Sequence, residues 1–296
     1  MSVGILSPSG EVEFGAWGNR TETGEKVASD TIFGVASLSK GFLSASLGIL
    51  MQDFAEGKNT TAFPQGVKEF NWETKMRDLL PGEWKTEDEF STNKADLTDL
   101  LSHTTGLPAH DASYSPDESP RDLVLRMRNL RAAYEFRQRF EYNNQMFITG
   151  SYVVSKLSGM EYRDFVEKRI MLPLNMSSST MHPDRVSKSD RFSQTWTPSG
   201  RRIPFFMDEQ MAKLIAGAGG VISTAEDLLL SWLRVDGYGA DHTPFDEDSI
   251  NDWKVTFMEE NGKVVGLGFF VAENESWRAK EGGSVRDIAD VWFDKI

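Results

Sequence analysis

Phe33-Gly34-Val35-Ala36-Ser37-Leu38-Ser39-Lys40-Gly41-Phe42-Leu43 joins a short apolar segment to a helix whose first turn carries a serine and a lysine three residues apart. Over residues 37–56, Phe42, Leu43, Ala45, Leu47, Leu50, Met51 and Phe54 recur at helical spacing and Gly57 supplies a stop. The pattern predicts a mostly buried helix. Residues at i and i+3 share a helix face, so Ser37 and Lys40 point the same way. A free serine is a weak nucleophile, and a lysine one turn away can take its proton if burial lowers the amine's pKa. The competing reading is a serine N-cap beside a solvated lysine. Spacing alone does not choose: 28 Ser and 15 Lys in 296 residues give about 1.4 such pairs by chance, and Ser91 with Lys94 is a second. Context does choose. Ser37 opens an apolar helix, whereas Ser91 lies in a polar stretch beside Asp88 and Glu89.

A second element lies about a hundred residues on. Tyr142-Asn143-Asn144 directly precedes an amphipathic helix predicted over 145–157, so a loop presents its side chains. Six Tyr and eleven Asn predict about 0.2 Tyr-x-Asn triplets by chance. A tyrosine can relay a proton to a leaving group, and an asparagine can hydrogen-bond both a lysine and a substrate carbonyl or amide. An Asn-rich helix cap is the alternative.

Outward from these two points, residues 2–17 read as two strands joined at Pro8-Ser9-Gly10. Residues 57–96 are polar, carry Pro64, Pro81 and Gly82, and are expected as a surface excursion. Helices are expected over 97–101, 122–130, 145–157, 162–170 and 224–233, and a strand over 264–272. Strands, a helical block and strands again predict an α+β fold with the chain ends meeting in one sheet.

Composition narrows the function classes. With 39% hydrophobic and 26% charged residues, including 19 Phe and 8 Trp, the chain is an ordinary globular one. A net charge of −13 with no basic run disfavours nucleic-acid and anionic-membrane partners. The longest apolar stretch, 42–51, is too short to span a bilayer, so no membrane partner is expected. There is no cysteine, and His103, His110, His182 and His242 fall in no metal-ligating pattern, so no metal is expected. Met1-Ser2-Val3 leads straight into a strand-like stretch, and no secretion signal is read there. Compartment and oligomeric state stay open.

Ser37-x-x-Lys40 and Tyr142-x-Asn144 resemble the first two motifs of the superfamily of serine β-lactamases, penicillin-binding proteins and related esterases. The resemblance continues in order through Leu100-Leu101-Ser102-His103-Thr104-Thr105-Gly106-Leu107-Pro108, then Gly150, Pro173-Leu174-Asn175-Met176, the run from Gly219-Gly220-Val221 to Ala225-Glu226-Asp227, and Gly266-Leu267-Gly268. The stretch Asp111-Ala112-Ser113-Tyr114-Ser115-Pro116 is most similar to fungal members. What the resemblance implies is an antiparallel sheet flanked by helices beside an all-helical lobe, in one domain spanning 1–296. Its sheet lobe would take 1–36 and about 215–296, and its helical lobe about 57–214. Ser37 would attack a carbonyl, Lys40 would take or share its proton, Tyr142 would act as base and then acid, and Asn144 would hold substrate and Lys40. The Ser37 N–H and one N–H of the strand bearing the third motif would form the oxyanion hole. His103 would tie a turn. No cofactor is implied, because serine acyl transfer needs none.

The third motif departs from the family. Lys-Thr-Gly or His-x-Gly is absent, and the nearest match in order is Glu281-Gly282-Gly283-Ser284, whose Glu281, Gly283 and Ser284 are the candidate substrate-binding residues. Thirteen residues follow Gly283, fewer than the family's closing strands and helix occupy, so a sheet incomplete at the C-terminus is expected. The functional expectation is a serine hydrolase or acyltransferase forming an acyl-enzyme on Ser37, with small-molecule esters or amides as substrates. The alternative is a catalytically inactive scaffold of the same fold binding a ligand or partner, to which Glu281 and the short C-terminus point. An α/β-hydrolase triad fits worst, since no Gly-x-Ser-x-Gly elbow is present.

Overall fold

The computed structural model describes residues 1–6, 12–115 and 117–229, and the backbone of 253–260 and 263–271. Strands β1 (Ser2–Leu6) and β2 (Val12–Ala16) form the expected antiparallel hairpin, with Ser2 opposite Ala16 and Leu6 opposite Val12. Strand β3 (Phe33–Gly34) ends where Ala36 takes a positive φ of 45°, and a tight turn over Ala36–Leu38 leads into α1 (Ser39–Ala55).

The helix α1 is apolar on every side. Phe42, Leu43, Ala45, Leu47, Ile49, Leu50 and Phe54 are all buried, and the hydroxyls of Ser44 and Ser46 turn back to the carbonyls of Lys40 and Phe42. This is the signature of a central core helix rather than a surface one. Each fully buried large side chain contributes about 1.5–3 kcal/mol.

Around α1 come α2 (Met76–Leu79), α3 (Glu89–Lys94), α4 (Leu97–Leu101), α5 (Pro120–Arg126), α6 (Asn144–Ser158) and α7 (Tyr162–Val166). The helix α6 crosses α1 where Gly150 faces Leu43. A Cβ on Gly150 would stand 2.8 Å from Leu43 Cδ2, so a larger residue there would push the Leu43 side chain aside. The helix α5 starts two residues before the expected 122, because Ser119 and Asp122 form a capping box with Pro120 in the first turn. The helix predicted over 162–170 is regular only to Val166. A wider turn over Glu167–Met171 follows, with the Glu167 carboxylate accepting hydrogen bonds from the Thr180 hydroxyl and the Met181 N–H.

One expectation is corrected. Residues 57–96 are not a surface excursion, because Phe70, Met76, Leu79, Leu80, Trp84 and Ala95 belong to the main core. Their spacing is irregular and α2 and α3 are too short to show a period, so the apolar anchors were hidden among polar neighbours.

The chain then runs through α8 (Pro183–Val186), a short hairpin of β4 (Thr195–Trp196) and β5 (Arg202–Ile203), α9 (Glu209–Leu214) and α10 (Ala216–Gly219). Strand β6 (Ile222–Ser223) pairs antiparallel with β3, Phe33 opposite Ser223, which sets α10 against the start of α1. Helix α11 (Ala225–Asp227) follows, and the rest of the helix expected to 233 lies outside the described residues. Strands β7 (Trp253–Glu260) and β8 (Lys263–Val271) pair with each other, in the region where a strand was expected. Among the described residues the strands pair in twos. No helix among them is long and apolar enough to cross a membrane.

Candidate active site

Ser37 sits in the turn before α1, exposed, while Lys40 in the first turn of α1 is only 4% exposed. Its Nζ lies 3.0 Å from Ser37 Oγ, 2.7 Å from Asn144 Oδ1 and 2.9 Å from the Ala218 carbonyl oxygen. Two of these three neighbours can only accept. When Lys40 is neutral, its two N–H groups satisfy Asn144 and Ala218, and its lone pair is left facing the Ser37 hydroxyl, the one neighbour able to donate. Burial lowers the Lys40 pKa to about 7, against an opposing pull from the Asp111 carboxylate, so the neutral amine is well populated near neutrality.

Tyr142 OH lies 2.5 Å from Ser37 Oγ. Burial is the main cause of a raised Tyr142 pKa, and Asp111 adds to it while the Ser37 contact opposes it. The phenol therefore rests protonated. A directed chain results, in which Tyr142 donates to Ser37 and Ser37 donates to neutral Lys40. The Lys40 nitrogen also lies 4.8 Å from the Tyr142 ring centre and 5.0 Å from that of Phe147.

The residues 103–108 form the seat of the tyrosine loop. Arg137 N–H donates to Thr104 O and Glu141 N–H to His103 O, both at 2.8 Å, while Ala133 N–H donates to Gly106 O at 2.9 Å. Gly106 has a φ of 78°, and a Cβ there would fall 2.3 Å from the Tyr134 carbonyl, so both the turn and the contact require glycine. Asn143 donates from Nδ2 to the carbonyls of Leu107 and Pro108, and its Oδ1 caps α6. The Asn143 N–H donates to His103 Nδ1 at 3.0 Å, and the imidazole packs 4.6 Å from the Tyr142 ring. Burial first, and the Lys40 charge second, lower the His103 pKa to about 3, so this ring is a neutral spacer under Tyr142. It ties the turn without reaching Ser37 by any hydrogen bond described.

Three neighbours of the site escaped the motif reading. Ser39, fully buried, donates from Oγ to Ala36 O at 2.6 Å and accepts from Val221 N–H at 2.9 Å, so it orients the peptide whose N–H belongs to Ser37. The Ala218 carbonyl is a backbone group and leaves no trace in the sequence. Asp111 accepts from Asn144 Nδ2 at 2.9 Å and from the Tyr114 hydroxyl at 2.8 Å. A carboxylate that only accepts fixes which end of the Asn144 amide is nitrogen, and so turns Oδ1 toward Lys40. Asp111 opens the Asp111–Pro116 stretch, and nothing in that stretch signals a contact with Asn144.

Ser37, Lys40, Tyr142 and Asn144 are thus brought together. Glu281, Gly283 and Ser284 lie outside the described residues, as does any oxyanion donor from the third motif. Among the described residues no group of three or more His, Cys, Asp or Glu is placed to hold a metal ion.

The central buried helix, the flanking helical block and this serine–lysine–tyrosine–asparagine arrangement are those of a β-lactamase/transpeptidase fold. The chain belongs to the beta-lactamase family, whose profile matches residues 1–293. It is 29% identical over 208 residues to an unguisins hydrolase of Aspergillus campestris, covering 68% of this chain and 37% of that protein. It is 26% identical over 218 residues to penicillin-binding protein 4* of Bacillus subtilis, covering 68% of this chain and 44% of that protein. The chain thus spans about two fifths of the length of the curated relatives it matches. In fold it is similar to an octameric penicillin-binding protein homologue from Pyrococcus abyssi, with TM-score 0.64 and 19% identity, over 91% of this chain and 59% of the other.

Proposed function

We propose that this chain carries the acyl-transfer centre of a serine hydrolase or acyltransferase acting on small-molecule esters or amides, with Ser37 as the acylated residue. The observation that carries the reading is the three-way setting of Lys40 Nζ, which aims a lone pair at Ser37 Oγ once the amine is neutral. Ser37 Oγ attacks the substrate carbonyl carbon and its proton passes to Lys40. The tetrahedral adduct collapses as Tyr142 gives its proton to the leaving oxygen or nitrogen, and the new lysinium beside the ring supports the phenolate formed. Water then gives a proton to Tyr142 and attacks the acyl carbon, and Lys40 returns its proton to the departing Ser37 Oγ. The Ser37 N–H, held by Ser39 through the Ala36 peptide, serves as an oxyanion donor. An unguisins hydrolase among the relatives supports hydrolytic chemistry of this kind, and its name does not carry a substrate over to this chain.

The test is intact-mass spectrometry after exposure to a fluorophosphonate and, separately, to a β-lactam. One adduct per chain that disappears in Ser37→Ala is the expected result. A folded chain that takes no adduct overturns the reading in favour of the inactive scaffold, the alternative motivated by Glu281 standing where the family has a cationic or polar residue.

A further inference from the structure

Transfer of the Ser37 proton leaves a positive charge on Lys40, and the pocket must hold that charge until the proton moves on. The surroundings of Nζ are poor in negative charge. Its polar neighbours are Ser37 Oγ, Asn144 Oδ1 and the Ala218 carbonyl oxygen, all formally neutral. Among the described residues no ion pair includes Lys40, and the acid that acts on it, Asp111, stands on the far side of Asn144. The other titratable groups facing it are Tyr142, which rests protonated, and His103, which rests neutral. A carboxylate in direct contact would defeat the base. An opposite charge that close moves such a pKa by about 1–3 and would leave the amine protonated before Ser37 is engaged.

Aromatic rings take the place of that carboxylate. Nζ lies over the Phe147 ring, 5.0 Å from its centre, and 4.8 Å from that of Tyr142. Phe147 follows Asn144 by three positions in α6, so one face of one helix presents an acceptor oxygen and a π face to the same amine. The ring is buried and backed by His103, whose imidazole lies 5.0 Å from Phe147 at 36° and 4.6 Å from Tyr142 at 32°. Because that imidazole stays neutral, it does not compete with the amine for either π face. A ring face attracts a cation through its quadrupole, more strongly once water is excluded, yet it carries no net charge and takes no proton. It therefore supports a lysinium less than a carboxylate would, and leaves the free amine populated near neutrality.

We propose that Phe147 is a positioning residue for acylation of Ser37: its ring face holds Lys40 Nζ, as the lysinium formed in that step, against Ser37 and Asn144 where no carboxylate does so. This inference rests on the proposed function, and two separate readouts keep the failure of one distinct from the failure of the other.

The test replaces Phe147 in the full chain with ring-monofluorinated and ring-trifluorinated phenylalanine, which keep the shape of the side chain and weaken its π face in steps. Phe147→Leu, apolar but without a π face, is the companion variant. One readout is the pH profile of fluorophosphonate labelling at Ser37, and the other is the Lys40 titration followed at the Cε resonance of isotope-labelled lysine. In both, the midpoint near pH 7 of the parent moves to lower pH as fluorine is added, by about one pH unit for the trifluorinated ring. The labelling rate above the midpoint falls roughly threefold, because the amine has become a weaker base. Phe147→Leu moves the midpoint in the same direction. A midpoint that stays or rises across the fluorinated series overturns the proposal, since shape and burial are kept there and only the quadrupole changes. A lysine midpoint that moves while the labelling profile does not also overturns it. A parent chain that takes no label at Ser37 counts against the proposed function instead, and the lysine titration, which needs no nucleophile, still decides whether the ring holds the charge.

Discussion

Two Ser-x-x-Lys tetrads occupy this chain, and their environments are inverted. In the first, Ser37 is exposed and Lys40 is buried; in the second, Ser91 is buried and Lys94 is exposed. Ser91 lies inside α3, its N–H held by the Asp88 cap and its hydroxyl 2.8 Å from that of Thr86, so its bonding is complete within the protein. Ser37 lies before α1, open to a substrate, with its proton directed at an amine whose affinity for it burial has reduced. The same four-residue spacing therefore gives an open serine beside a buried amine or a capped helix with its serine buried, depending on which member is desolvated. Geometry of spacing is the weaker condition, and burial of the lysine is the stronger one.

The contrast breaks most directly at the two lysines. Lys40→Ala is expected to lower the rate of Ser37 acylation by about 10²–10⁴, the usual weight of a positioned general base, while Lys94→Ala leaves it unchanged. A fluorophosphonate labelling time course reads both. Tyr142→Phe is expected to slow both acylation and hydrolysis, with turnover reduced by about 10²-fold, because the phenol serves the leaving group in one step and the incoming water in the other. Single-turnover and steady-state rates on one ester separate the two steps.

Stability effects are smaller and test the frame around the first tetrad. His103 binds protons less readily folded, with its pKa near 3, than unfolded, where it titrates near 6.5. The unfolded state therefore gains protons as pH falls through about 6.5 and the folded state does not. Stability should decline progressively from there toward pH 3, by roughly 5 kcal/mol at the limit for this one group. Denaturant midpoints across that range should show a shallower slope in His103→Gln than in the parent. Ser39→Ala should cost about 1–3 kcal/mol, because it leaves the buried Val221 N–H without its partner, and should slow acylation without moving the pH at which it occurs. Thermal melts and the acylation profile check the two halves of that expectation.

The parts of this architecture that were legible were those governed by local rules. Apolar spacing in 37–56 gave α1, the stretch ahead of α6 placed Tyr142 in a loop, and alternation around Pro8-Ser9-Gly10 gave the first hairpin. Ser37, Lys40, Tyr142 and Asn144 could be named because the role proposed for each uses a side chain at a recognisable spacing. What escaped depends on tertiary approach. The Ala218 carbonyl reaches Lys40 only because β3 and β6 pair, and Asp111 reaches Asn144 across 33 positions with no periodicity to betray it. The core role of Phe70, Leu79, Leu80 and Trp84 was hidden in the same way, since anchors in irregular segments carry no repeat. Glu281, Gly283 and Ser284 fall outside the described residues, so the third motif rests on the sequence alone.

The central claim is that a desolvated Lys40 activates Ser37, and the pH dependence of fluorophosphonate labelling at Ser37 tests it most directly. The account predicts that the labelling rate rises with pH through an apparent pKa of about 7 and that Lys40→Ala removes this rise. A rate that shows no such step near neutrality, or one that keeps the step in Lys40→Ala, would contradict it.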